Sequence, residues 1–100
     1  MKEAEFQAAH LFKTLGNPLR IRIVKILGKG PATPTQLAEE LGKRRVNISQ
    51  HLKVLRDCDV AWFTMQAKNV VYRIKDPSVL GIVEAAEKFA AARNIGPRSS

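Results

Sequence analysis

The chain has 100 residues, 45% hydrophobic and 26% charged, with a formal net charge of +8. That length suits one domain with one modest core, and no apolar run approaches the ~20 residues that span a bilayer. Cys58 is the only cysteine, so an intramolecular disulfide is excluded and a zinc site would need several other ligands. The opening Met1-Lys2-Glu3-Ala4-Glu5 lacks the layout of a signal peptide, so cytoplasmic residence is the expectation.

Residues 3–15 read as a helix, with Ala4, Ala8, Leu11, Phe12 and Leu15 on one side and Gly16 at its end. Asn17-Pro18 supplies a cap and a first-turn proline for a second helix, whose buried stripe is Leu19, Ile23, Val24 and Leu27. Gly28, Gly30 and Pro31 stop it. Thr33-Pro34-Thr35-Gln36 is a capping box opening a short third helix that ends at Gly42. Lys43-Arg44 forms the turn into a fourth helix, from about Arg45 to Asp57.

The period then changes. Val60 to Met65 and Val70 to Ile74 are rich in β-branched and aromatic residues, with the four residues Gln66-Ala67-Lys68-Asn69 as a hairpin loop. Ala67 stands where a tight two-residue turn would favour glycine, so the expected turn is of another type. Asp76 caps a last helix, with Leu80, Val83, Ala86, Phe89 and Ala90 as its apolar stripe to about Arg93. Residues 94–100 read as a frayed tail beyond a single domain of residues 1–93. The order α-α-α-α-β-β-α is a mainly α fold with a β-hairpin, a winged helix-turn-helix.

The fourth helix is the most informative segment. Ile48, Leu52 and Leu55 recur at spacings of four and three, a stripe for a core. The remaining face carries Arg45, Asn47, Ser49, Gln50 and Lys53. Arg, Asn and Gln can pair bidentately with base edges in a major groove, and Lys reaches phosphate. The charge follows this helix. Residues 41–75 carry net +6, against +2 before them and zero after them. Such a focus is the footprint of a polyanion binder. There is no nucleophile–base set and no phosphate-cradling loop, so the sequence gives enzyme function no support.

At this point several segments resemble one known family. Phe12-Lys13-Thr14-Leu15-Gly16-Asn17-Pro18-Leu19-Arg20-Ile21-Arg22-Ile23, Gln36 to Gly42, Ile48-Ser49-Gln50-His51-Leu52-Lys53-Val54-Leu55-Arg56 and Val71-Tyr72-Arg73-Ile74 resemble the ArsR/SmtB repressors of bacteria and archaea, in order and spacing over roughly residues 6–90. The resemblance implies a homodimer that binds double-stranded operator DNA and represses transcription, usually until a ligand releases it; the sequence names no inducer. It implies a dimer interface on the terminal helices, here Phe6, Phe12, Val83, Ala86 and Ala90. It also implies a basic wing tip, here Lys68.

Many members of that family sense metals, and here the sequence departs from them. The third helix lacks the family's cysteine pair. On the last helix Ser78, Phe89 and Ala92 stand where two His and a Glu would ligate, and none of the three suits a borderline-soft cation. No metal and no cofactor is expected.

The expected DNA contacts are Lys43, Lys53 and Lys68 on phosphates and Arg45, Asn47 and Gln50 on base edges. Arg44, Ser49 and His51 complete the helix, and Thr35 and Gln36 lie at the start of the preceding one. For His51, packing or a phosphate hydrogen bond is favoured over base readout. Arg44 at the N-cap forfeits the usual cap, which costs roughly 1 kcal/mol. That position makes sense if a phosphate binds at the helix end. Cys58, between Asp57 and Asp59, reads as structural, with an intermolecular redox disulfide as the sharper alternative. The rival functions are a nucleoid-type architectural DNA-binding protein and a metal or redox sensor with an atypical site.

Overall fold

A computed structural model of the chain describes residues 2–93. The expected tail, 94–100, lies outside the described residues. The elements are α1 (Glu3–Leu15), α2 (Pro18–Lys29), α3 (Pro34–Leu41), α4 (Arg45–Asp57), β1 (Ala61–Gln66), β2 (Asn69–Ile74) and α5 (Ser78–Arg93). This is the α-α-α-α-β-β-α order of a winged helix-turn-helix.

The helix starts follow local chemistry. The Asn17 Oδ1 accepts from the backbone N–H of Leu19 and Arg20 at 2.9 and 3.1 Å, and Pro18 fills the first helical position. At α3 the capping box is complete. Thr33 Oγ1 accepts from Gln36 N–H at 3.1 Å, and Gln36 Oε1 accepts from Thr33 N–H at 2.9 Å. Asp76 Oδ1 accepts from Ser78 N–H at 2.9 Å and so opens α5.

Helix α4 ends in a Schellman arrangement. Val60 N–H reaches Leu55 O at 2.9 Å and Asp59 N–H reaches Arg56 O at 3.0 Å. Asp59 therefore takes the left-handed conformation, φ 60°, that a glycine would enter without strain. Its carboxylate pairs with Lys75 Nζ at 3.0 Å.

The core gathers Ile23, Val24 and Leu27 of α2, Leu37 and Leu41 of α3, Ile48, Leu52 and Leu55 of α4, and Val79 and Val83 of α5. Tyr72 and Ala61 close it from the hairpin. A link not foreseen in the sequence joins Ala32 to β2: Ala32 and Tyr72 exchange both backbone hydrogen bonds, at 3.0 and 2.8 Å. Helix α1 behaves differently from its sequence pattern. Only Thr14 and Leu15 are buried, while Ala4, Ala8 and Phe12 face outward.

The wing corrects two expectations. The register pairs Gln66 with Asn69, so the strands run one residue further than expected at the tip, and the loop is two residues rather than four. Both loop residues have positive φ, 48° at Ala67 and 70° at Lys68, as a type I′ turn requires. The tight turn forms without glycine because the antiparallel ladder on each side fixes its ends. Left-handed alanine and lysine are each strained by roughly 1 kcal/mol. The double variant Ala67→Asn, Lys68→Gly is therefore expected to stabilise the fold by about 1 kcal/mol, or raise Tm by ~4–8 °C for a domain of this size. An unchanged Tm in thermal unfolding would show that the turn is relaxed despite its φ values.

Candidate nucleic-acid interface

Helices α3 and α4 pack against each other across a short turn in which Gly42 is left-handed, φ 63°. Glycine is suited here because the chain reverses direction between two helices. The turn leaves α4 with one face sunk in the core. Ile48, Leu52 and Leu55 are wholly buried. Arg45, Asn47, Ser49, Gln50 and Lys53 are exposed, as are Lys43 and Arg44 just before them and Thr35 and Gln36 at the head of α3. Lys68 is exposed at the wing tip. Gln36 has already committed its Oε1 to the capping box, so its amide NH2 is the group left to donate.

The start of α4 carries no side-chain cap. Arg44 occupies the cap position in extended conformation, and a guanidinium cannot accept from a backbone N–H. No acidic residue stands in the first turn. Lys43, Arg44 and Arg45 thus crowd the positive end of the helix dipole, an arrangement that is locally unfavourable unless an anion joins it.

Three basic residues of the +6 region are engaged within the chain. Lys53 Nζ pairs with Asp57 at 2.9 Å, and that hydrogen bond holds the Asp57 carboxyl below the usual carboxylate range. Arg56 Nη1 donates to the Tyr72 hydroxyl at 3.4 Å and its guanidinium lies 5.4 Å from the centre of the Phe63 ring. It ties the fourth helix to the wing. Lys75 bridges Asp59 and the Trp62 ring, 5.5 Å away. Among the described residues, Lys43, Arg44, Arg45 and Lys68 have no carboxylate partner. Arg73 on β2 also lacks a carboxylate partner but is half-buried, so the exposed unpaired charge of this region is narrower than the sequence total and sits at the helix start and the wing tip.

His51 is half-buried and turned toward α2. Its Nδ1 lies 3.2 Å from Arg20 Nη1, and Arg20 Nε donates to the backbone oxygen of Thr14 at 2.5 Å. A guanidinium can only donate, so Nδ1 is the acceptor and the ring proton sits on Nε2. Burial first, and the Arg20 charge second, push the His51 pKa below its ordinary 6.5. The neutral ring is the form the fold prefers. Its stabilisation is full above about pH 6.5 and is lost as pH falls through the lower folded-state value. Tm measured from pH 7.5 down to pH 5 should fall more steeply in the wild type than in His51→Gln; parallel profiles would remove this link. Arg20 and Arg56 were legible in the sequence only as charge. What makes them positioning residues is tertiary: each reaches an element distant along the chain.

The residues expected at a dimer interface divide. Phe6 and Phe12 of α1 are 59% and 62% exposed, and Ala86 is exposed. Ala90 is half-buried. Val83 is already buried within the chain, on a helix that packs on α2, and it lines a groove rather than standing out as a presented face. That groove, about 330 Å³, runs between α1 and α5 and is lined by Phe12, Leu15, Ile21, Ile82 and Ala86.

The family's usual metal positions do not fit a metal in this chain. Helix α3 has no cysteine, and Ser78, Phe89 and Ala92 on α5 offer at most one weak oxygen donor. Among the described residues no group of three or more His, Cys, Asp or Glu side chains converges.

The family model of the bacterial regulatory proteins of the arsR family matches residues 17–61, from the α2 cap through the start of β1. The HTH-type transcriptional regulator CmtR of Mycobacterium tuberculosis is 39% identical over 72 residues, which cover 72% of this chain and 61% of that regulator. The chain thus spans about three-fifths of CmtR. The solved structure of the transcriptional repressor PagR of Bacillus anthracis is 31% identical, covers 83% of this chain and 95% of its own, and superposes with a TM-score of 0.74. A homodimeric winged helix-turn-helix DNA-binding domain from Mycobacterium bovis, described as a possible ArsR-family regulator, shares the fold at a TM-score of 0.81 and 20% identity, covering 97% of this chain and 90% of that one. With the arsR family model seated on its helix-turn-helix and relatives of this similarity along most of its length, the chain belongs to the arsR family of bacterial regulatory proteins.

Proposed function

We propose that the chain acts as a homodimeric, sequence-specific DNA-binding transcription regulator, and that it acts as a repressor. One observation carries the reading. Helix α4 buries Ile48, Leu52 and Leu55 completely and presents Arg45, Asn47, Ser49 and Gln50 outward beneath an uncapped, cationic start. Such a face suits the floor of a major groove, with side chains at the helix start nearest the bases. Lys43 and Arg44 are placed to meet phosphate, and Lys68 at the wing tip to meet phosphate or the minor groove. Thr35 and Gln36 flank the same groove edge.

Repression follows from the family and from PagR, which is a transcriptional repressor. Dimerisation is supported by the exposed Phe6 and Phe12 beside the α1–α5 groove and by the homodimeric neighbour from M. bovis. A two-fold dimer would set its recognition helices about one DNA turn, ~34 Å, apart on an imperfect palindrome. No helix of the described residues is long and apolar enough to cross a membrane, and work on the chromosome would place the protein in the cytoplasm.

The test is selection of bound duplexes from a random pool, followed by competition with unselected DNA at physiological salt. The selected site is expected to win by about 10³-fold or more. Equal affinity for all duplexes would instead favour a nucleoid-type architectural protein, driven by phosphate contacts alone.

A further inference from the structure

One apolar side chain on the outward face of α4 has no role in the core. Val46, the second residue of the helix, is 62% exposed. It stands two residues before the buried Ile48, which turns it about 160° around the helix from the core. Spacings of four and three align it with Gln50 and Lys53 along the outermost line of the helix. Its neighbours at the surface are Arg44, Arg45, Asn47 and Gln50, all polar or charged. A single exposed valine is ordinary on a protein surface. This one stands on the turn of the recognition helix that enters deepest into a groove. It is also β-branched, so its χ1 is held to one rotamer in a helix and its two methyls are fixed in space.

We propose that Val46 is a specificity-determining residue that reads the C5-methyl group of a pyrimidine in the major groove. In DNA that methyl belongs to thymine, or to 5-methylcytosine, and it is the one apolar feature of the groove floor. A branched aliphatic side chain is its complement, because both surfaces leave water together. Arginine, asparagine and glutamine on either side can pair with polar base edges but gain nothing from a methyl. The inference rests on the proposed DNA-binding reading and deepens it by naming what one position recognises.

The full chain and a site selected from random duplex are the materials of the test. Each thymine of the site is replaced in turn by deoxyuridine, which removes only the methyl. At one position per half-site the wild type is expected to lose about fourfold in affinity, and about fifteenfold when both half-sites are changed, the equivalent of one buried methyl each. Val46→Ala, an outward substitution to a better helix former, should lose a similar factor on the thymine site and then be indifferent to deoxyuridine at that position. Replacing the thymine by cytosine or 5-methylcytosine identifies the source. A gain from methylation in the wild type, absent in Val46→Ala, extends the reading to both bases; no gain confines it to thymine.

The proposal is overturned if no thymine is sensitive to loss of its methyl, or if Val46→Ala remains as sensitive as the wild type. It then fails while sequence-specific binding stands. If no preferred sequence emerges from the pool, the DNA-reading function itself fails, and this proposal with it.

Discussion

Leu52→Ala is expected to destabilise the fold by about 2–5 kcal/mol. Leu52 is wholly buried at the centre of the α4 stripe, between Ile48 and Leu55, and α4 packs there against α2, α3 and β1. Trimming its isobutyl group to a methyl leaves a void that four elements would have to move to fill. Small domains retain only about 5–15 kcal/mol in total, so a large share of the stability disappears. Val54, two residues on, is partly exposed on the same helix. Val54→Ala should shift stability by no more than about 0.5 kcal/mol. Urea unfolding of both variants at equal protein concentration separates them by their midpoints. Equal midpoints would mean that the buried stripe is not what anchors the recognition helix.

Phe12→Glu is expected to leave the protomer folded and to break the proposed dimer. The ring is 62% exposed and borders the α1–α5 groove, so a lone chain loses little when it goes. Two-fold symmetry would bring the substitution into the interface twice. Each copy forfeits about 1.5–3 kcal/mol of aromatic burial and adds a carboxylate to an apolar surface. Operator affinity should then drop by roughly 10²–10⁴-fold, the advantage of two linked half-site contacts over one. Sedimentation should report a monomer with an unchanged far-UV spectrum. A persistent dimer would move the interface away from this groove.

Much of the architecture was legible because neighbouring residues determine it. The Thr33–Gln36 capping box and the Asn17-Pro18 start depend on side chains within three residues of the amides they serve. The α4 stripe depends on spacing alone. The wing turn is not legible in the turn preferences of its own residues. Ala67 and Lys68 disfavour a type I′ turn locally, yet six paired positions on the two strands leave the chain only two residues in which to reverse.

The candidate site divides in the same way. The exposed set on α4 could be read from helical periodicity. Its electrostatics could not, because a charge count does not say which cations are already engaged. Lys53 with Asp57 is an i,i+4 pair on one helix and was open to inspection. Arg20 with His51, 31 residues apart, and Arg56 with Tyr72 arise only when the chain is folded. Val83 shares an apolar period with Leu80 and Ala86, and the family resemblance assigns it to the dimer interface. It is buried within the chain instead, and sequence period cannot distinguish the two sides of a helix that is apolar on both.

The missing cap at Arg44 has a consequence for solvent exchange. Ile48 N–H is the first amide of α4 with an acceptor, Arg44 O at 3.2 Å. Among the described residues the amides of Arg45, Val46 and Asn47 have no acceptor. In the free protein these three should trade hydrogen for deuterium at close to the rate of an unstructured peptide, while Leu52 and Leu55, five to ten positions on, exchange only when the whole domain opens. The recognition helix thus carries a steep gradient of exchange lifetime over barely two turns. The fast end of that gradient is the one part of the helix whose isotope uptake a bound phosphate would slow without altering the fold beneath it.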